Sequence, residues 1–410
     1  MTVNRKEDIR KSKILMLGGS AQQVPAIQKA KDLGYETILI DYLPDNPGQF
    51  VADKWYQEST TDVDAVYRIA KEEKVEGILP YASDPAALPA AIVAERLGLP
   101  TNPAKSIEIL GVKHKFRKFL KENGFPCPAS FTFSPQTPLE EIKEKTKGLK
   151  FPIVIKPTDS SGSKGVSFLE SLESLPEAIR HADQYSRNKI LIAEEFIQRG
   201  FPHVIGGDIF VENGQIILCG DMTCLRDKEG RSLIPVGKQK PSGLYETQRK
   251  KIFDVLLEIL NILKISTGEF NIELILDKND TPYILELGPR AGGNMIPIQL
   301  SDAYNVDLIE ANVLAAMGKP SNIHPCYSGE AFMTYVLHSN KDGKFKGVEF
   351  SKEIEPYIYR KVIYKSPGDI VEKFDGAGKA LGIIFMKFPT ADLMNQTRPF
   401  LDSLIQIKFQ

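Results

Sequence analysis

The chain has 410 residues, 42% hydrophobic and 26% charged, a balance typical of folded soluble proteins and a length that suits two or three domains. Its formal net charge of −1 excludes recruitment of nucleic acid or an anionic membrane by a global field. No run approaches the roughly 18 uninterrupted apolar residues of a membrane span. The first 13 residues are polar, with no apolar signal core, so the cytoplasm is the expected location. Cys127, Cys219, Cys224 and Cys326 are scattered without zinc-ligand spacing, and reduced thiols are expected.

Residues 1–112 read as a parallel α/β domain. Strands are expected at 13–17, 36–40 and 77–80, and helices from Gly18-Gly19 to about Leu33, over 62–74 and over 84–97. Asp62 stands where a helix cap belongs. Gly18-Gly19-Ser20 lacks the third glycine of a dinucleotide fingerprint, and a tight strand-to-helix turn is the better reading. Asp41 is therefore not assigned to a ribose.

The segment 113–123 (KHKFRKFLKEN) is an amphipathic helix stopped by Gly124 and Pro126. Its charges Lys113, Lys115, Arg117, Lys118 and Lys121 fit a solvated face. A buried strand follows at 151–157, ending in Lys156. It leads into Thr158-Asp159-Ser160-Ser161-Gly162-Ser163-Lys164-Gly165, whose small residues let backbone N–H groups approach a phosphate. A bare surface turn is the other reading of that run. The strand 189–197 (KILIAEEFI) ends in Glu194 and Glu195, and His203 lies on the loop beyond it.

A helix over 246–263 packs Ile252, Leu256 and Leu260 inward, and Arg226 and Lys238 before it either line an acceptor site or face solvent. Next comes a hairpin over 270–287, turning at 277–282. It carries Glu273 on one strand and Glu286 on the other, then Arg290 and Gly292-Gly293. Two carboxylates on neighbouring strands suit an oxygen-ligated Mg²⁺ beside a phosphate chain, or equally two acids facing water. A helix at 307–317 leads to Pro320 and Pro325, after which strands dominate, with one helix near 391–401.

Taken in order, the helix lysine, the strand lysine with its glycine-rich loop, the E-E-F-I run and the E…E-L-G-P-R hairpin resemble the ATP-grasp superfamily, over essentially the whole chain. The resemblance implies an α/β plus α+β architecture. A parallel α/β pre-ATP-grasp domain occupies 1–112, an ATP-grasp domain of two α+β subdomains 113–320 with its lid near 150–200, and an α+β cap 321–410. It implies that Lys113 and Lys156 bind phosphates, with Ser160, Ser161, Gly162, Ser163 and Gly165 closing over them. The same resemblance implies that Glu194, Glu195 and Ile197 read adenine and ribose and that His203 lies near the nucleotide. It implies that Glu273 and Glu286 ligate Mg²⁺ (or Mn²⁺) and that Arg290 contacts the transferred phosphoryl group.

Two departures stand out: Val112 replaces the usual Asp before the first lysine, and Gly288 replaces an Asn that can ligate metal. The resemblance implies an ATP- and Mg²⁺-dependent ligase that activates a small carboxylate as an acyl phosphate for an amine, with a homodimer as the family-level expectation. Alternatives are a biotin-carboxylase-like or formate-using enzyme, and an ATP-binding protein that does not catalyse. The absence of an internal repeat argues against a carbamoyl-phosphate synthetase large subunit, which is built from two such units.

Overall fold

The computed structural model describes residues 11–160, 162–226 and 234–410. Two compact units are present: one extends to Ala104 and takes in Asp307–Ile323, and the other holds Lys105–Val306 and His324–Gln410.

In the first unit, β1 (Lys13–Leu17), β2 (Glu36–Ile40), β3 (Lys54–Tyr56) and β4 (Gly77–Leu79) form a parallel sheet in the order β3-β2-β1-β4. Its inner strands carry the apolar runs 14–17 and 38–40, as a parallel sheet covered on both faces requires. Leu15, Leu17, Ile38 and Ile40 pack with Val66 and Ile69 of the helix Val63–Glu73 and Ala90 and Val93 of the helix Asp84–Leu97. Asp62 caps the former as expected, accepting from the N–H groups of Asp64 and Ala65. The Gly18-Gly19 turn is closed by protein alone: Asp41 accepts from Gly19 N at 2.7 Å and Leu43 N at 2.8 Å.

The helix Leu308–Ala316 packs with this unit. It approaches Gly77 so closely that a Cβ there would strike the Ala316 carbonyl, and Lys29 pairs with Asp307 at 2.7 Å.

Glu73 is the buried polar centre of this unit. It accepts from Lys13 at 2.8 Å and from Lys54 and Tyr56, and Lys13 first, then Lys54, hold its carboxyl down at about 2. A carboxyl depressed on folding contributes stability in full above its unfolded value near 4.5, and loses it as pH falls toward 2. Glu73→Gln is expected to cost roughly 2 kcal/mol at neutral pH, discounted for the half-exposed Lys54. Urea unfolding at pH 7 and pH 3 checks this: the native–variant gap should narrow at the lower pH.

In the second unit, β5 (Ser130–Phe133), β6 (Ile153–Pro157), β7 (Ser167–Leu169) and β8 (Leu191–Glu195) form an antiparallel sheet in the order β5-β8-β6-β7. The helices Leu139–Thr146 and Leu175–Gln184 cover it through Ile142, Leu175 and Ile179. The chain continues through β9 (Ile205–Glu212), β10 (Gln215–Arg226), β11 (Pro235–Lys240), β12 (Thr267–Leu276), β13 (Pro282–Gly288), β14 (Ala331–Leu337), β15 (Gly343–Phe350), β16 (Ile358–Ile363), β17 (Ile370–Val371), β18 (Gly382–Phe388) and β19 (Ile405–Phe409). Eight of these form one sheet, β13-β12-β9-β10-β11-β14-β18-β16, and β17-β15-β19 a small one beside it.

The residues expected as a cap from 321 therefore extend the sheet that carries the acidic hairpin. β14 pairs along β11, and Gly237 is needed there because a Cβ would strike the Thr334 carbonyl. Among the described residues, no helix is long and apolar enough to cross a membrane.

Candidate functional site

The hairpin forms as its alternation implies. Glu273 on β12 and Glu286 on β13 are directly opposed partners, so both carboxylates leave the same face of the sheet. The register shifts between Glu273 and Leu274, which bends the strand just past the acid. Glu273 accepts from Arg226 Nη2 at 2.9 Å, and Glu286 lies 3.4 Å from Lys113 Nζ. Burial alone would raise the Glu273 carboxyl, but Arg226 and Lys238 outweigh it and hold it below the usual range. Among the described residues no group of three acidic, histidine or cysteine side chains stands together. A metal here would take its remaining ligands from water and phosphate, as Mg²⁺ ordinarily does.

Lys113 opens the helix Lys113–Glu122 and also donates to the Ser160 carbonyl at 2.6 Å. Lys113 thus touches the base of the glycine-rich loop as well as Glu286. That loop joins β6 to β7. Its base is pinned where Asp159 accepts from Asn188 N at 2.8 Å, and Gly162, Ser163 and Gly165 all take left-handed backbone angles. Gly165 packs against Pro157, Ala182 and Tyr185. Ser161, expected among the phosphate contacts, lies outside the described residues.

Lys156, at the end of β6, is bonded to Glu194 on β8, and Arg117 Nε meets the other oxygen of Glu194 at 3.1 Å. Burial lowers the Lys156 ammonium against the pull of Glu194. Burial would raise Glu194, yet Arg117 and Lys156 hold it at about 2. One expectation needs correction: Arg117 does not lie on a solvated face, being only 3% exposed. Both Glu194 oxygens are held by cations, Arg117 on one and Lys156 on the other. Glu195 accepts from Lys150 N at 2.8 Å, and the Glu195 and Phe196 N–H groups bond Ala129 and Pro152 carbonyls. Ile197 lies just beyond these pairings, half-buried.

His203 is also half-buried and packs edge-on against Phe201 at 6.1 Å; burial, then Arg398 and Arg199, lower its imidazole. Lys238, buried on β11, donates to Cys224 Sγ at 2.9 Å, next to the Arg226 that holds Glu273. Arg226 and Lys238 are thus on the acidic-hairpin face and not in open solvent.

Past β13, Arg290 is fixed through its backbone, which accepts from Asn271 N at 3.1 Å and donates to Gly288 O at 2.8 Å. The following loop is held by Asp208, fully buried on β9, which accepts from Gly292 N at 2.8 Å and Asn271 Nδ2 at 2.7 Å. Asn271 stands directly opposite Gly288, but its amide is turned onto Asp208 and Gly207, so it does not supply the amide Gly288 lacks. A Cβ on Gly292 would lie 2.5 Å from Asp208 Oδ1. Gly292→Ala is accordingly expected to destabilise by about 1–3 kcal/mol, read from a drop in melting temperature.

Arg117 and Asp208 were not legible as site residues. A buried arginine within a charged helix and a lone acid within an apolar strand carry no local signal. Both are chosen by partners 60 or more positions away.

The family model "Carbamoyl-phosphate synthase L chain, ATP binding domain" matches residues 112–320. The chain is 23% identical over 301 residues to the carbamoyl phosphate synthase large chain of Thermotoga maritima, covering 72% of this chain but only 27% of that protein. Among solved structures it resembles the L-amino acid ligase of Bacillus licheniformis, with a TM-score of 0.82 at 20% identity over 98% of this chain and 99% of that one. It also resembles the biotin carboxylase domain dimer of Hydrogenobacter thermophilus 2-oxoglutarate carboxylase, in complex with MgADP, ADP and bicarbonate (TM-score 0.76, 17% identity, 97% and 90% covered). These likenesses carry the fold, and the matched family includes every residue from Lys113 to Arg290 described above. The chain belongs to the family of the carbamoyl-phosphate synthase L chain ATP-binding domain, and with it to the ATP-grasp superfamily.

Proposed function

We propose that this chain is a carboxylate–amine ligase that consumes ATP. The observation that carries the reading is the opposed pair Glu273 and Glu286, ringed by Arg226, Lys113 and Lys238 and joined through Lys113 to the glycine-rich loop. Such an arrangement receives a polyphosphate together with a hard cation. Mg²⁺ or Mn²⁺ fits the donor set, since both carboxylates offer hard oxygen ligands. When bound, the cation supplies neutralisation of phosphate charge.

In this reading Lys113 and Lys156 hold phosphates. Ser160, Gly162, Ser163 and Gly165 present backbone N–H groups and exclude water. Glu195, Ile197 and His203 border the base and ribose, with Glu194 acting through Lys156. An oxygen of the carboxylate substrate attacks the γ-phosphorus, the bond to the β-phosphate oxygen breaks, and ADP leaves. Arg290 steadies the transferred group. The amine then attacks the acyl carbon, phosphate departs, and the amine nitrogen gives up a proton. Positioning and charge neutralisation supply the rate, so no side-chain nucleophile is required.

Support comes from the family match and from the likeness to an L-amino acid ligase. A homodimer belongs to the same reading, by analogy with the biotin carboxylase domain dimer; a monomer in sedimentation equilibrium removes that part. The deciding experiment is ADP release against paired panels of small carboxylates and amines. Release that requires both partners supports the ligase. Release with bicarbonate or formate and no amine supports a carboxylase- or formate-type activity. The unreplaced amide at Gly288 favours one further reading, a nucleotide-binding protein without turnover, whose signature is ATP binding with no ADP released on any pair.

A further inference from the structure

Arg117 sits one helical turn after Lys113, on the same face of the helix Lys113–Glu122. It is anchored at two points: Nε to Glu194 Oε2 at 3.1 Å, and Nη2 to the Leu285 carbonyl at 2.9 Å, next to Glu286. Its third nitrogen, Nη1, is buried without a hydrogen-bond partner among the described residues. It therefore connects the helix bearing one phosphate lysine, the strand paired with the other, and the metal-site hairpin. Glu194 meanwhile serves two cations, Arg117 on one oxygen and Lys156 on the other.

The two cations are not equivalent. Arginine is a planar fork, here fixed at both tines. Lysine is a compact charge on a flexible four-carbon stem. Lys156 is largely enclosed, its side chain 11% exposed, and its charge is offset by Glu194. To reach a phosphate it has to turn away from that carboxylate. A buried carboxylate deserted by its only cation is strongly unfavourable, and nucleotide binding would bear that penalty directly.

We propose that Arg117 is a positioning residue for nucleotide binding. It keeps Glu194 neutralised, so that Lys156 can exchange that carboxylate for a nucleotide phosphate. The inference rests on the ATP-site reading above and extends it to a residue that does not touch the nucleotide.

The test is ADP binding in the presence of Mg²⁺, by titration calorimetry, with thermal melting of each protein. The proteins are the native chain, R117M, R117K, E194Q and R117M/E194Q. R117M is expected to weaken ADP by at least about tenfold, as the stranded carboxylate holds Lys156 back. The double variant is expected to bind within about threefold of E194Q alone, because with no carboxylate there is nothing left to neutralise. R117K keeps a cation for Glu194 but loses the second anchor, and should stay within about threefold of native.

Additive losses in the double variant overturn the proposal, as does an R117K loss as large as that of R117M. If R117M folds only in the E194Q background, neutralisation of Glu194 is again the role. If it folds in neither, Arg117 belongs to the fold and the proposal fails. A native chain that binds no ADP removes the ATP-site reading itself. That outcome is distinct from native binding with additive losses, which removes only the role of Arg117.

Discussion

Glu286→Gln is expected to lower turnover by at least about a thousandfold while shifting the melting temperature by no more than a few degrees. The substitution keeps shape and hydrogen-bonding capacity but removes a unit of charge from the centre of the site. The fold does not depend on that charge: Glu286 is partly exposed, and its ion pair with Lys113 is a loose 3.4 Å. Its strand is held by the backbone ladder to β12, which the amide leaves intact. Chemistry depends on the charge because Glu286 and Glu273 together are the opposed oxygen donors on this face. ADP release with a substrate pair turned over by the native chain, alongside a thermal melt, checks both halves. Retained turnover with an unchanged melt would place the metal and phosphate site elsewhere.

Lys156→Ala is the second large effect expected, a loss of ATP affinity of about thirtyfold or more with the fold preserved. Removing one member of a buried ion pair ordinarily costs several kcal/mol, because the other charge is left stranded. Here Arg117 still holds Glu194 at 3.1 Å, so the carboxylate stays neutralised and the sheet keeps its pairing of β6 with β8. The loss should therefore fall on the ligand and not on the protein. ATP binding measured with Mg²⁺, against urea unfolding of the same variant, separates the two. Unchanged affinity would count heavily against Lys156 as a phosphate ligand.

Much of this site was legible without coordinates. The lysines Lys113 and Lys156, the glycine-rich run and the two hairpin acids stand at spacings read in chain order, and the strands carrying them have plain alternation. The structure brings Lys113 onto Glu286, and Lys156 onto Glu194. What could not be read was the state of the charges between those landmarks. Arg117 lies in a run of helix charges that looks solvated, and Glu194 looks like one of two acids at a strand end. They are buried on each other from 77 positions apart. Asp208 was hidden in the same way, since one acid in an apolar strand carries no signal until Asn271 and Gly292 are placed beside it.

The sequence alone determined which elements form and which residue types stand ready for phosphate and metal. Periodicity, caps and glycine runs are local properties that need no partner to be recognised. Only the tertiary structure decided which charges are spent on one another. It joined the segment after 321 to the hairpin's own sheet through β11 and β14, and returned the helix Leu308–Ala316 to the first unit. It also tied Arg117, Glu194 and Lys156 into one buried cluster. The reason is physical: a charge in low dielectric takes its state from whatever lies within a few ångströms, and neighbours at that range are set by the folded chain and not by sequence order.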